Sequence, residues 1–571
     1  MTDDFINHFF KLAAAAMKPV LNSWDAGDLA ENYTLEPASQ RGHGDLATGI
    51  ALVAASRLKR PPRELAAKLI SVMRASSELN NLARCEVAGP GFINFFFNDG
   101  ALMEAVQDSL ALGAGFGSVK PAARSRKILL EFVSANPTGQ LHVGHARYAA
   151  YGDSLKRIIE FAGYRFSREG PLEAADVTAE FYVNDYGSQM DIFGRTLAAR
   201  YAEALCMPAE FPEDGYRGDY PRRLATLIKE EIGGELASQV SPSASPSAVA
   251  FFKQRGCEIV LSEMRNLLQQ FRVRFDSWFS EAGLYESGQA AAVIDELRTR
   301  KQTFDKDGAL WLKTAARGDD KDRVLIRSGG EPTYFASDIA YHSQKLARGY
   351  DRLINIWGAD HHGYVRRMQA AFAALSHDPD KLEIIIGQLV NVIEQGERKQ
   401  MSKRAGTMVT LEELLGSIGI DAARFFLVDR SHDSTLDLDL EKAKQKTEEN
   451  PVYYVQYAHA RISSILRKAA AENIPASEPH GGSLERQERE LILHILWFPA
   501  TAAAASTTHS PQRLTAYARE LAAAFHVFYH NCPVLKAEPA QAAFRLELCR
   551  LTRNVIARSL DLVGVSAPEQ M

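Results

Sequence analysis

From residue 127 to 133 the chain reads Lys-Ile-Leu-Leu-Glu-Phe-Val, a compact apolar block. Such a block fits a strand covered on both faces of a parallel sheet. A turn-rich stretch, 134–141, follows, and then the period changes. Val143, Ala146, Ala150, Leu155, Ile158 and Ile159 recur at helical spacing, which predicts a helix from 142 to about 162, closed by Gly163. Strand-like segments return at 181–183, 309–312, 324–326, 353–357 and in part of 382–392, with helical segments between them. That alternation predicts a doubly wound, Rossmann-type α/β sheet. Residues 189 to about 300 are mostly helical and interrupt it; within them the Ser/Pro/Ala run 241–248 reads as an exposed loop.

The flanks carry other patterns. Residues 1–117 combine helical segments with a Pro61-Pro62 break, a Gly89-Pro90-Gly91 turn and the strand-like run 92–97, so an α+β unit is expected, ending in the Gly/Ser/Pro-rich stretch 113–122. Beyond about 437 strand signals vanish. Long helices are predicted at 450–470, 484–505, 512–529 and 540–560, an all-α bundle. The expectation is a multidomain chain: 1–117, then an α/β unit over 118–437 with its helical insertion around 189–300, then the bundle over 438–571.

Composition changes this picture little. The 571 residues are 46% hydrophobic and 24% charged, ordinary for a folded chain, and the net charge of −5 gives no global basic signal. An RNA partner would have to be held by local patches and shape. The five cysteines, Cys85, Cys206, Cys257, Cys532 and Cys549, include no close pair, so neither a zinc knuckle nor a CxxC redox motif is present. The apolar run 12–17 is too short for a secretory signal, and no stretch approaches the ~20 apolar residues of a membrane span. A cytoplasmic protein without membrane contact is expected.

Two short motifs carry the chemistry. After the first α/β strand comes Ala135, Asn136, Pro137, Thr138, Gly139, Gln140, Leu141, His142, Val143, Gly144 and His145. Two histidines three apart thus sit at a helix start, where free N–H groups and the positive dipole end suit phosphate. Gly144 lets a flat ligand approach the backbone, and the imidazoles add donors. An isolated HxxH more often caps or packs, and no third ligand at recognisable spacing supports a metal. The second motif is Gln400-Met401-Ser402-Lys403-Arg404, followed by Ala405-Gly406-Thr407. Its lysine and arginine suit transient gripping of polyphosphate, although a short basic loop alone is commonly a solvated turn.

Together, HVGH at 142–145 and MSKR at 401–404 resemble the two signatures of class I aminoacyl-tRNA synthetases. Longer stretches resemble the arginyl family within that class: 131–139, FYVNDYG at 181–187, WFSEAGLYES at 278–287, YFASD at 334–338 and WGADHHGY at 357–364. NPVYYVQYAHAR at 450–461 and FHVFY at 525–529 are similar to its anticodon-binding domain. His43-Gly44-Asp45 and GPGFIN at 89–94 are similar to its added N-terminal tRNA-binding domain. The likeness spans essentially the whole chain. It departs at Gln400, where the usual KMSK begins with lysine; Lys399 stands just before it and Lys403 is retained.

The resemblance implies roles. His142 and His145 would stabilise the ATP phosphates, with Gly144 alongside, and Lys403 would grip the leaving pyrophosphate, with Met401 and Ser402 in the same ATP loop. Gly358, Asp360 and His361 would lie near the adenosine. Asn136, and Ser134 at the α-amino group, would hold the backbone end of arginine. Glu281, Tyr334 and Asp338 would surround its guanidinium, a planar five-donor fork best met by carboxylates and an aromatic face. Tyr334 and Asp338 lie one helical turn apart and can share a face. The implied reaction attaches L-arginine to its tRNA through an arginyl-adenylate, with ATP as its Mg2+ complex, no protein-ligated metal, no editing domain and a monomeric enzyme. The rivals, an RNA-binding paralogue without activity and a small-molecule nucleotidyltransferase, leave respectively the intact His142, His145 and Lys403, and the flanking domains, unexplained.

Overall fold

The computed structural model describes residues 4–38, 43–120, 122–167, 170–399, 408–474 and 482–571. Its centre is a five-stranded, wholly parallel sheet in the spatial order Leu382–Gly387, Arg352–Gly358, Arg126–Glu131, Ala175–Val183, Ser277–Ser280. Arg126–Glu131 is flanked by a strand from each half of the domain, so the order reverses there. In open parallel sheets the crevice beyond the carboxyl ends at such a reversal is where ligands bind.

The helix Val143–Ala162 leaves this point with Val143, Ala146, Ala150, Leu155, Ile158 and Ile159 all buried, the face expected from their spacing. Gly163 ends it at φ 84°, and a Cβ there would meet the Glu173 carbonyl oxygen at 2.8 Å, so only glycine fits without strain.

Four details differ from the sequence expectation. The strand expected over 127–133 ends at Glu131, because Val133 (φ 68°) and Ser134 (φ 42°) turn left-handed. Ser277–Ser280, inside the stretch expected to be mostly helical, is the outer strand beside Ala175–Val183. The segments 309–312 and 324–326 do not join the doubly wound sheet. Ala309–Leu312 and Arg323–Ile326 pair antiparallel with Thr303–Lys306 in a sheet of their own, since alternating burial marks a strand without naming its partner. The stretch 382–392 divides, and Val390–Glu394 pairs instead with Glu397–Arg398 and Leu436–Asp439.

The N-terminal unit packs Phe5–Ser23 on a four-stranded antiparallel sheet, Phe9 meeting Phe95 and Phe97 edge-on at ring separations of 5.1 and 5.0 Å. The C-terminal unit is helical, with Pro451–Ala471, Gln512–Asn531 and Pro539–Leu562 close to expectation. The helix expected over 484–505 is two, Arg486–Leu496 and Phe498–Thr507, broken where Trp497 precedes Phe498-Pro499. Arg489 of this unit reaches back to Asp99 at 2.6 Å and to Asp45, the acid of the early His-Gly-Asp motif.

One buried cation joins the parts. Arg424, on the helix Leu411–Val428, pairs with Asp153 of Val143–Ala162 at 2.6 Å, and donates to the carbonyls of Phe271 at 3.0 Å and Val563 at 2.9 Å. A Cβ on Gly564 would strike the same guanidinium at 2.1 Å. No helix among the described residues is long and apolar enough to cross a membrane.

Candidate active site

The crevice begins where the first strand ends. Val133 is β-branched, and a left-handed conformation there costs about 1–3 kcal/mol, a strain typical of site-forming turns. The turn directs Ser134 Oγ onto Glu131 at 3.0 Å, and the same oxygen accepts the Tyr182 N–H at 3.1 Å. Asn136 lies further out, exposed, donating to Gln189 at 2.7 Å and accepting from Asn184 at 2.8 Å.

His142 is the N-cap of the next helix. Its Nδ1 accepts from the Gly144 N–H at 3.2 Å, while the His142 N–H donates to His145 Nδ1 at 3.3 Å. The two rings stack at 3.7 Å. The pair therefore caps its own helix, the structural role that an HxxH at a helix start can take. Lys403, Met401 and Ser402 lie outside the described residues. The chain just after them is placed: the Val143 N–H donates to the Val409 carbonyl at 2.9 Å and the Leu411 N–H to the Leu141 carbonyl at 2.8 Å. This short antiparallel bridge, centred on His142 and Thr410, ties the first motif to the exit of the second.

Gly358 and Gly387 pair at the ends of adjacent strands, and Tyr148 donates to the Gly387 carbonyl at 3.2 Å. A Cβ on Gly387 would sit 2.3 Å from the Tyr148 ring, and one on Gly358 2.7 Å from Asp360 Oδ1. Asp360 and His361 are exposed on the turn beyond, 3.5 Å apart.

The acids come from two elements, Glu281 following the outer strand Ser277–Ser280 and Asp338 on the helix Tyr334–Ala347. Glu281 opens the short helix Glu281–Glu286 and is only 4% exposed. Ser280 and the Ala282 N–H, both hydrogen-bonded to Asp185 at 2.6 and 2.8 Å, fix that helix start. Burial, then the charges of Asp338 and Asp185, raise the Glu281 carboxyl to about 7. Asp338, on Tyr334–Ala347, is likewise raised to about 7, by burial first and then by Glu131, against a hydrogen bond from Tyr364 that holds it down. Two acids that each resist ionisation are poised for a cation. Tyr334, one turn before Asp338, is 58% exposed, so it forms no inner wall beside the acids.

Under these acids runs a buried polar chain that sequence reasoning missed. Lys345, with no exposed surface, pairs with Glu131 at 2.5 Å and donates to Asn355 Oδ1 at 3.2 Å. Asn355 Nδ2 donates to His342 Nε2 at 2.7 Å, and His342 Nδ1 donates to the Asp338 carbonyl, also at 2.7 Å. Burial first, and then Lys345, push the His342 pKa far down, which fits the neutral tautomer those contacts require. The chain runs from Asp338 to Ser134 beneath the crevice. A lysine at a helical core position was the available signal.

The bundle carries a separate groove of about 990 Å³, lined among others by Tyr457, Arg461, Arg467, Lys468, His526 and Tyr529. Arg461 donates to the Tyr457 hydroxyl at 2.5 Å and lies 4.7 Å from the Tyr529 ring centre. In the stretches 450–461 and 525–529, His459, Phe525 and Phe528 are buried, whereas Tyr453, Tyr454, Tyr457 and Tyr529 keep partial exposure.

Comparison with known proteins agrees with this layout. Residues 8–97 match the arginyl tRNA synthetase N terminal domain, residues 107–465 the class I (R) tRNA synthetase catalytic domain, and residues 455–571 the DALR anticodon binding domain. The arginine–tRNA ligase of Geobacillus thermodenitrificans is 43% identical over 541 residues, 94% of each chain. That of Desulfitobacterium hafniense is 41% identical over 576 residues, covering 99% of this chain and all of its own. The solved arginyl-tRNA synthetase of Thermus thermophilus superposes with a TM-score of 0.74 at 22% identity, over 97% of this chain and 100% of its own, a likeness of fold. With a family match over more than half its length and relatives above 40% identity end to end, the chain belongs to the arginyl-tRNA synthetases of class I.

Proposed function

We propose that this chain attaches L-arginine to its tRNA in two in-line steps, with ATP brought in as its Mg2+ complex. The observation that carries the arginine reading is the pair Glu281, buried, and Asp338, half-buried, each raised to about 7, with the charge of Asp338 acting on Glu281. A guanidinium supplies the charge and the planar donors that such a pair lacks.

In the first step the arginine carboxylate attacks the α-phosphorus, and pyrophosphate leaves. His142 and His145 hold the phosphate oxygens as charge builds, and Lys403 draws off the leaving group. Donors aimed at developing charge in a dry site are worth about 3–4 kcal/mol each. Ser134 and Asn136 orient the amino acid, Glu281, Asp338 and Tyr334 hold its side chain, and Gly358, Asp360 and His361 frame the adenosine. In the second step the terminal ribose hydroxyl of the tRNA attacks the adenylate carbonyl and AMP leaves. No side chain forms a covalent intermediate, so catalysis is positioning and electrostatics.

The tRNA is held at both ends of the chain, its anticodon loop in the groove around Arg461 and Tyr457, where exposed rings and guanidinium planes offer stacking surfaces. The enzyme acts as a cytoplasmic monomer. Arginine-dependent exchange of pyrophosphate into ATP, measured with and without tRNA, tests the reading. Exchange that depends on arginine in either condition supports it, and exchange driven equally by lysine or by no amino acid overturns it.

A further inference from the structure

Tyr182 is the penultimate residue of Ala175–Val183, and its backbone N–H is already spent on Ser134. Its side chain is 7% exposed, with the ring 4.4 Å from that of Tyr341 and 6.1 Å from that of Phe279. The polar neighbours are satisfied: Tyr341 donates to Glu180 at 2.8 Å, and Glu131 accepts from Lys345 and Ser134. Among the described residues the Tyr182 hydroxyl has no partner at good hydrogen-bond geometry; its polar contact toward the Glu281 carboxyl, whose proton affinity it lowers, is a weak one. Buried hydroxyls are seldom left so, because water has been removed and nothing has replaced it. The charged groups that act on it are the carboxylates of Glu281, Asp338 and Glu131, in that order of strength. A phenol so weakly satisfied, set against the two acids of the crevice, lacks a partner that carries positive charge and N–H donors.

We propose that Tyr182 is a further specificity residue for arginine, its hydroxyl donating to ionised Glu281 and accepting one N–H of the guanidinium held between Glu281 and Asp338. The proposal rests on the reading of those two acids as the arginine pocket. A phenol can serve both contacts at once, and a phenylalanine neither. Because the hydroxyl donates usefully only to an ionised carboxylate, it favours a cation over a neutral ureido analogue of the same shape.

The test is Tyr182→Phe, which removes one oxygen and keeps the ring packing. Arginine binding by calorimetry should weaken about 10-fold or more, the effect of losing a hydrogen bond to charged groups. The ATP KM and the thermal midpoint should stay near wild type. Tyr182 also lowers the proton affinity of Glu281, so the pH midpoint of arginine binding should move upward in the variant. A purely structural tyrosine would lower the thermal midpoint and leave arginine affinity and its pH profile unchanged, and that result overturns the proposal. Asp338→Asn runs alongside. If it too leaves arginine affinity intact, the pocket assignment is what fails; if it abolishes binding while Tyr182→Phe binds as wild type, only the role of Tyr182 fails.

Discussion

Arginine binding to this chain should depend steeply on pH between 6 and 8. In the empty crevice Glu281 and Asp338 are each raised to about 7, by burial and, at Glu281, by the charge of Asp338. The guanidinium stays protonated throughout, so the bound state needs both carboxylates ionised and has their proton affinities lowered. The sign follows: protons compete with the ligand, and affinity falls as pH drops through 7. Treating the two acids as equal and independent, competition weakens binding by about 1.2-fold at pH 8, about 4-fold at pH 7 and roughly 120-fold at pH 6. The fall from pH 8 to 6 is therefore on the order of 100-fold, and near pH 7 binding releases about one proton, half from each acid. Titration calorimetry with arginine, in two buffers of different ionisation enthalpy, measures affinity and proton release together. An affinity constant within 2-fold from pH 6 to 8, with no buffer dependence of the heat, would refute the reasoning: the acids would then be ionised before the ligand arrives.

Other outcomes follow from the same geometry. Lys403→Ala should slow adenylate formation by about 10²-fold or more with little change in arginine affinity, as a contact strengthened in the transition state requires; pre-steady-state exchange measures it. Lys345→Met strands Glu131 in the core and should cost about 3–5 kcal/mol of stability in denaturant titration, whereas a loss under 1 kcal/mol would mean that water replaces the ammonium. Arg461→Ala should weaken charging of an arginine tRNA by about 10-fold or more while leaving arginine and ATP binding intact, and unchanged charging would remove the groove from tRNA recognition.

How much of this was legible in the sequence varies with the physics of each element. The helix from His142 was plain because its six buried positions keep helical spacing and a glycine ends it. Ser277–Ser280 was hidden because its four residues are all half-buried and show no alternation. The segments 309–312 and 324–326 were recognisable as strands, but pairing is a long-range choice that local pattern does not encode. Within the site, residue type pointed to Glu281 and Asp338 as partners for a guanidinium. Their raised proton affinity was not readable, since it arises from burial and, at Glu281, from the charge of Asp338 across 57 residues of chain. Tyr182 lay inside a recognised stretch, yet nothing in the letters tells a satisfied hydroxyl from an orphaned one.

The cation at Arg424 has a consequence for the timing of synthesis. Its carbonyl acceptors come from Phe271 and Val563, its carboxylate from Asp153. A ribosome releases these groups in chain order, and the last emerges 139 residues after the arginine itself. Until then the guanidinium lacks one of its acceptors, and the helices bearing Asp153 and Arg424, one starting at the first signature motif and the other shortly after the second, are not yet clamped to the tail. Every residue assigned here to arginine activation precedes Arg424, yet the scaffold that sets their spacing closes only when the final helix has docked. The last partner of this buried cation is thus made only once the C-terminal helical unit is complete.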